Sequence, residues 1–189
     1  MNSSLVAGVD EAGRGCLLGP VFAASVIWDD NIEHHLLKDS KQLTKHQREI
    51  MFDFILDNCI DYGISSSNIN EIDNLNILQA TQLAMHRSLN NISLQFDHIL
   101  VDGNYFNKYN NIHHTCIIKG DTKYKCISAA SILAKVSHDS WIVENSNKLL
   151  HYDVLNNMGY GTKTHINSIN IYGLSEYHRK SFKIKHIDG

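Results

Sequence analysis

Apolar runs that end in an acid beside a glycine are the feature that most restricts how this chain can fold. Residues 5–11 read LVAGVDE and lead into the glycine loop AGRG, and the runs FDHILVDG and HTCIIKGD end in a similar way. Short apolar runs bounded by glycine and aspartate are typical of buried strands. Because open α/β sheets form their binding sites at the carboxyl ends of strands, the pattern predicts an α/β fold with acids at one sheet edge.

Hydrophobic periodicity predicts the remaining elements. A second strand follows the glycine loop at residues 21–28, and DYGISSS is a weaker strand candidate. Helical spacing predicts helices at 44–58, where Thr44 can serve as the N-cap, at 72–89, and from residue 122 onward, with shorter helical turns near 163–171 and 175–181. This order predicts a mixed sheet flanked by helices rather than a strictly alternating parallel one.

Length and composition fit one domain of ordinary size. We expect residues 1–189 to form a single catalytic domain with a short helical C-terminal part at about 163–189. No stretch approaches the ~18 apolar residues of a membrane span, and the N-terminus lacks the pattern of a signal peptide, so we expect a cytoplasmic protein. We also expect it to be a monomer. The net charge of -3 counts against a broad basic surface for nucleic acid but leaves room for a local basic groove.

Cysteine and histidine usage indicates neither a zinc site nor a disulfide framework. No C-x-x-C spacing occurs, so the four cysteines are interpreted as reduced, mostly buried thiols: Cys16, Cys59, Cys116 and Cys126. The paired histidines at 34–35 and 113–114 lie in polar connecting stretches and are interpreted as solvated loop residues.

Asp10 and Glu11 are the first candidates for chemistry. Adjacent side chains on a strand face opposite ways, so these two acids converge on one site only if the strand ends there. The alternative is a solvated strand end followed by an ordinary tight turn. Asp102 also ends an apolar run, as does Asp121, although Asp121 could instead cap the helix that follows it.

Asp139 is a rival to Asp121 for the fourth acidic position. If residues 121–139 form one continuous helix, a rise of ~1.5 Å per residue separates the two acids by roughly 27 Å. They cannot then share one site. Asp121 adjoins the strand ends, so it is the candidate, and Asp139 is interpreted as a surface acid.

Four crowded carboxylates repel one another unless cations lie between them. Oxygen ligands without histidine or cysteine favour Mg²⁺ or Mn²⁺, and paired ions about 3.5–4 Å apart are the usual device for in-line phosphodiester displacement. The acids Asp10, Glu11, Asp102 and Asp121 are therefore predicted to hold two divalent cations.

The chain resembles the type 2 ribonuclease H family, the bacterial ribonuclease HII enzymes. The resemblance covers nearly the whole sequence and is carried by motifs in a specific order: GVDEAGRG, LGPV, DSKQLT, NILQATQLAM, VDGN, KGD, SAASILAKV, GYGTKTH and HRKSF. It implies a ribonuclease H-like fold with a mixed five-stranded sheet. It also implies that the four acids named above bind two Mn²⁺ or Mg²⁺ ions and are the catalytic residues.

The resemblance further implies an endoribonuclease of DNA replication and repair. Its substrates would be RNA–DNA hybrids and duplex DNA with single embedded ribonucleotides, cut 5′ of the ribonucleotide to leave 3′-hydroxyl and 5′-phosphate ends. Gly13, Arg14 and Gly15 would recognise the ribose 2′-hydroxyl, and Tyr160 would pack on the adjacent sugar, the alternative being a core tyrosine. Phosphate contacts are expected from the following basic residues: Lys41, Lys119, Lys123, Lys163, His178 and Arg179.

Departures from the family pattern are few. Cys16 stands where proline is common, and His138 replaces a usual arginine. The nearest alternative function is another ribonuclease H-like metal-dependent nuclease, of the resolvase or integrase type, which would not need the ribose-reading loop. A non-catalytic nucleotide-binding module is a second alternative, but GRGCLLG matches neither the dinucleotide-binding nor the Walker fingerprint.

Overall fold

A five-stranded mixed sheet forms the centre of the molecule. The computed structural model describes residues 4–38 and 43–184. The strands are β1 (Val6–Ala12), β2 (Val21–Ile27), β3 (Asp61–Ser67), β4 (His98–Asp102) and β5 (His113–Ile117), in the spatial order β3-β2-β1-β4-β5. The first three strands pair antiparallel, whereas β4 is parallel to both β1 and β5. The predicted mixed sheet with flanking helices is confirmed.

The helices agree with the sequence in type but differ in their boundaries. They are α1 (Lys45–Asn58), α2 (Ile69–Leu75), α3 (Ile77–Asn90), α4 (Lys125–Asn145), α5 (Val154–Asn157) and α6 (Lys163–Tyr172). Thr44 caps α1 in a full capping box with Gln47. A single helix over 72–89 is wrong, because Asn76 takes a positive φ of 68° and its side chain caps α3 by accepting from the Gln79 N–H.

Several local predictions are corrected by long-range pairing. Residues 175–181 form turns rather than a helix, because the backbone there bonds to the glycine loop region: Gly19 N–H donates to the Tyr177 carbonyl, and Arg179 N–H to that of Leu17, both at 2.9 Å. The helix expected from residue 122 begins at Lys125, after a 3-10 turn at Gly120–Thr122. The histidine pair at 113–114 opens β5 instead of lying in a connecting stretch.

Helices cover both faces of the sheet. Helix α3 packs on the face that carries Ala7 and Val9, and α4 packs on the other face, near Gly8 and Ala24. The four cysteines are free; Cys16 and Cys126 are buried, and the other two are partly exposed. Within the described residues, none of the helices combines the length and apolar character needed to cross a membrane.

Gly8 allows α4 to approach β1 closely. A Cβ atom at this position would lie 2.5 Å from the Ile127 nitrogen and would also overlap the Cys126 backbone. Because α4 would have to move away from the sheet, we expect Gly8→Ala to lower the free energy of unfolding by about 1–3 kcal/mol, measured by denaturant titration. Gly15→Ala is the matched control, since the nearest atom there lies 3.8 Å away. An unchanged stability for Gly8→Ala would contradict this account of the packing.

Candidate active site

The two adjacent acids lie where β1 loses one of its neighbours. Strand β1 remains paired with β2 through Ala12, so the expectation that the strand ends at Asp10 and Glu11 is wrong. Its parallel pairing with β4, however, stops at Val9 and Val101. Past this last pair, β1 has no neighbour on its β4 side, which leaves an opening beyond β4. The side chains of Asp10 and Glu11 reach this opening from opposite faces of β1, and Asp102, the residue after Val101, lies at the same opening.

A cavity of about 360 Å³ occupies this opening. Its walls combine three of the predicted acids with basic, hydroxyl and aromatic side chains; the polar and aromatic lining residues are Asp10, Glu11, Asp102, Arg48, Ser131, Lys135 and Tyr160. Asp121 does not line the cavity and is only 1% exposed. It is nevertheless close to the other acids, because its neighbour Gly120 donates its N–H to Asp102 Oδ1 at 2.7 Å.

Burial and mutual repulsion make the ionised acids unfavourable in the protein alone. Desolvation raises the pKa of Asp10 well above its ordinary value, and the charges of Glu11 and Asp102 raise it further, against opposing hydrogen bonds from Ser131 and the Glu11 N–H. Desolvation also raises the pKa of Glu11, although Arg14 opposes the shift. A divalent cation is the group that would favour the ionised forms of Asp10 and Glu11.

The donor set fits a hard cation, but the side chains are not arranged as a closed metal site. Among the described residues, no group of three or more histidine, cysteine, aspartate or glutamate side chains is placed to hold an ion. Each carboxylate has another partner: Asp10 Oδ1 accepts from the Glu11 N–H at 2.8 Å, Glu11 faces Arg14 at 3.5 Å, and Asp102 accepts from Gly120. All-oxygen ligands of this kind suit Mg²⁺ or Mn²⁺.

The glycine loop and Tyr160 lie beside the acids. Gly13 has a φ of +82°, which favours glycine, and a Cβ there would clash with the His138 ring. Gly15 lies against the Tyr160 ring, since a Cβ on Gly15 would be 3.8 Å from its Cε1. Tyr160 is 40% exposed and lines the cavity, so the core alternative for this residue is wrong. The glycine loop and Tyr160, which the resemblance implies as recognition elements, thus lie next to each other and beside the acids.

Three polar residues of the cavity were not predicted from the sequence. Ser131 and Lys135 are one helical turn apart on α4 and both face the cavity, and Arg48 reaches it from α1. Lys135 Nζ lies 5.4 Å from the centre of the Tyr160 ring. The i, i+4 spacing within SAASILAKV could have indicated the first two residues. Arg48 has no such local signal.

The structure corrects several other interpretations of charged residues. Asp139 is buried at 8% exposure, where it accepts from Lys135 and contacts His138, so it is not a surface acid. His178 and Arg179 are 0% and 1% exposed and cannot contact a phosphate. Lys41 lies outside the described residues. The exposed side chains of Lys119, Lys123 and Lys163 remain predicted phosphate contacts.

Two of the departures from the family pattern, Cys16 and His138, contact each other. Cys16 Sγ lies 3.5 Å from His138 Nε2, and His138 Nδ1 lies 3.0 Å from Asp139 Oδ1. The arrangement of cysteine, histidine and aspartate resembles that of a nucleophilic cysteine site, but burial raises the pKa of Cys16 to about 11. At neutral pH the sulfur is a thiol rather than the reactive thiolate, so the arrangement is a packing contact beneath Gly13.

Comparisons with known proteins agree with this fold. The crystal structure of ribonuclease H2 from Pyrococcus horikoshii OT3 is similar at a TM-score of 0.77 and 28% identity, covering 95% of this chain and 94% of that one. Ribonuclease HII of Christiangramia forsetii is 49% identical over 179 residues, 95% of this chain and 90% of the relative. Ribonuclease HII of Bacteroides thetaiotaomicron is 45% identical over 185 residues, 97% and 92% of the two chains.

The fold and its acidic edge define a nuclease of the ribonuclease H class. The family model described as Ribonuclease HII matches residues 7–185, and the chain belongs to this family. Membership makes it a hydrolase with endonuclease activity of the ribonuclease H type.

Replacing Asp10 by asparagine should stabilise the metal-free protein. The raised pKa means that the folded state penalises the Asp10 carboxylate; the penalty begins as pH rises above the ordinary value of 3.8 and is complete above the raised pKa. We therefore expect Asp10→Asn to raise the thermal unfolding midpoint at pH 7 in EDTA. The rise should be about 2–4 °C for each kcal/mol of the carboxylate's penalty that the substitution removes. Added Mg²⁺ or Mn²⁺ should then stabilise the unmodified protein more than the variant.

Asp97→Asn is the control for this measurement. Asp97 also accepts a backbone N–H, that of Leu5 at 3.1 Å, but it is exposed at the opposite end of β1. This variant should change the midpoint little. A lower midpoint for Asp10→Asn in EDTA would contradict the electrostatic account.

Proposed function

We propose that the protein hydrolyses the RNA strand of RNA–DNA hybrids and cuts 5′ of single ribonucleotides in duplex DNA, leaving 3′-hydroxyl and 5′-phosphate ends. One observation carries the proposal. The acids Asp10, Glu11 and Asp102 line the same cavity as Tyr160, and the glycine loop lies at its edge through Arg14. Carboxylates for cutting and a loop for sugar recognition are thus adjacent.

Four acids would hold two divalent cations, Mn²⁺ or Mg²⁺: Asp10, Glu11, Asp102 and Asp121. Bound there, such ions would supply an activated water and charge stabilisation for the leaving oxygen. Ser131 orients Asp10, since it lines the same cavity and hydrogen bonding from it lowers the pKa of that carboxyl. Gly120 orients Asp102 in the same way through its N–H. These second contacts keep the carboxylates aimed into the opening beyond β4.

The basic cavity residues bind the nucleic-acid backbone in this proposal. Arg48 and Lys135 supply positive charge within a chain whose net charge is -3. Lys135 is held by Asp139 at 2.8 Å and lies over the Tyr160 ring, so its ammonium is fixed beside the cavity. A phosphate that enters between these cations and the acids is positioned for attack.

Selection of the ribonucleotide rests on the loop and Tyr160. Glycines at 13 and 15 allow the loop backbone to approach the sugar closely, and the 2′-hydroxyl is the group that distinguishes RNA from DNA. The exposed part of the Tyr160 ring offers an apolar face for the neighbouring sugar. Together they supply a test for one ribonucleotide within a DNA duplex, as removal of ribonucleotides during DNA replication and repair requires.

A cleavage assay with three substrates tests the proposed reaction. The substrates are duplex DNA with one ribonucleotide, a long RNA–DNA hybrid and an all-DNA duplex, each with Mg²⁺ and with Mn²⁺. We expect cutting of the first two only, and Asp10→Asn should reduce it to background while the protein stays folded, because a metal ligand is lost. Cutting of the all-DNA duplex would favour the resolvase or integrase alternative. Full activity of Asp10→Asn would disprove the assignment.

Variants of the recognition elements test ribonucleotide selection. Tyr160→Ala should lower kcat/KM on the single-ribonucleotide duplex by about tenfold, which corresponds to roughly 1.4 kcal/mol, since the variant loses the apolar surface that the ring and the sugar remove from water. Arg14→Ala should act in the same direction. Losses on the long hybrid should be smaller, because every RNA nucleotide there carries a 2′-hydroxyl. Tyr172→Ala, which removes an exposed tyrosine from α6, is the control. Equal losses on both substrates would argue against these roles.

A further inference from the structure

Arg179 is a buried cation whose hydrogen bonds hold the glycine loop. Its Nη2 donates to the carbonyls of Gly13 at 2.7 Å and Pro20 at 3.1 Å, its Nη1 to that of Arg14 at 3.0 Å, and its Nε to that of Gly19 at 2.9 Å. Desolvation lowers its pKa to about 10, so the guanidinium stays charged at neutral pH. Four backbone carbonyls therefore take the place of water around the guanidinium. Because its N–H donors form a rigid planar fork, they fix the directions in which these carbonyls point.

This clamp determines where two backbone donors of the loop point. In a trans peptide, the carbonyl of one residue and the N–H of the next lie in one plane and point in opposite directions. Holding the Gly13 and Arg14 carbonyls on Arg179 turns the N–H groups of Arg14 and Gly15 away from it. Within residues 4–38 and 43–184, neither N–H donates to a protein acceptor. Both donors are thus left for a ligand on the exposed side of the loop.

The neighbouring residue, His178, is connected to Tyr160 by a chain of hydrogen bonds. His178 Nδ1 lies 3.0 Å from the Ser175 nitrogen, His178 Nε2 lies 3.1 Å from His165 Nε2, and His165 Nδ1 lies 3.0 Å from the Tyr160 carbonyl oxygen. Because the Ser175 N–H must donate, Nδ1 of His178 accepts and its proton is on Nε2. His178 then donates to His165, which donates to Tyr160, so both rings are neutral.

Backbone pairing joins the same segments. Leu17 N–H donates to the Gly159 carbonyl at 2.8 Å, and the Leu17 carbonyl accepts from the Arg179 N–H at 2.9 Å. The segment that follows the loop therefore lies between residue 159 and residue 179. Arg179 thus contacts the glycine loop directly, and His178 is connected to Tyr160 through His165.

We infer that His178 and Arg179 are positioning residues for ribonucleotide selection. Arg179 sets the direction of the loop N–H groups, and His178 sets, through His165, the position of Tyr160. Both side chains are buried and act through the residues that touch the substrate. The inference rests on the proposed function. It adds the residues that hold the glycine loop and Tyr160 in fixed positions relative to each other.

Arg179→Lys tests the Arg179 half of the inference. Lysine keeps the charge, but its compact ammonium cannot reproduce the planar fork that spans four carbonyls. We expect faster amide hydrogen exchange in the peptide covering residues 13–17. We also expect kcat/KM on the single-ribonucleotide duplex to fall by about tenfold more than on the long hybrid, since hydrogen bonds to charged groups contribute about 1.5–3 kcal/mol.

Arg87→Lys is the matched control. Arg87 also donates to a carbonyl, that of Ser66 at 3.2 Å, and pairs with Glu71, but it lies against the edge strand β3. Its substitution should leave both the exchange of residues 13–17 and the ratio of the two activities unchanged. If Arg179→Lys lowers both activities equally, or only lowers the thermal midpoint, the residue is merely structural and the inference is wrong. If the unmodified protein does not cut at a single ribonucleotide, the proposed function itself fails.

A double-mutant cycle tests the His178 half. His178→Phe keeps a ring of similar size but removes both nitrogen contacts. Selectivity here is kcat/KM on the single-ribonucleotide duplex divided by kcat/KM on the long hybrid. If His178 acts through Tyr160, His178→Phe alone should reduce this selectivity. The same substitution made in the Tyr160→Ala variant should then have little further effect. Independent, additive losses of selectivity, or no loss from His178→Phe alone, would overturn this half. Circular dichroism of each variant shows that the comparison concerns folded protein.

Discussion

The parallel pairing between β1 and β4 is the constraint on which the candidate site depends. Because it stops at Val9 and Val101 while β1 continues alongside β2, one side of β1 is left open for its last residues. Asp10 and Glu11 occupy those residues, and Asp102 follows the last pair. A regular strand would direct its adjacent side chains to separate layers. The loss of one neighbour allows both layers to share a single opening.

The acids at this opening oppose folding rather than support it. Desolvation and like charges raise the pKa of Asp10, and the protein offsets this only in part through Ser131 and the Glu11 amide. Such local electrostatic strain is characteristic of sites that bind a cation, since preorganised charges gain their energy when the ion arrives. The rest of the fold compensates, with α3 and α4 packed on the two faces of the sheet.

The sequence predicted the strands and the mixed sheet, because these follow from local patterns of apolar residues. The glycine loop and Tyr160 were expected at the site from the family resemblance alone, and the structure brings both beside three of the four acids. Thr44 was likewise identified as a cap from its position alone. The break at Asn76 was missed because helical periodicity continues across it. Burial of Asp139 and Arg179 was missed because charged residues are usually exposed, and the partners that satisfy Arg179 are distant in sequence and leave no local signal.

The pairing of β1 with β4 also has a consequence for folding. The antiparallel strands β1 and β2 are joined by a short loop and β3 follows after α1, whereas β4 returns to β1 only after α1, β3, α2 and α3. Closing so long a stretch of chain is entropically slow, and parallel pairing of this kind raises contact order. We therefore expect the acids on β1 and β4 to come together late in folding, so that partly folded chains lack the assembled centre and nuclease activity appears only once these two strands have paired.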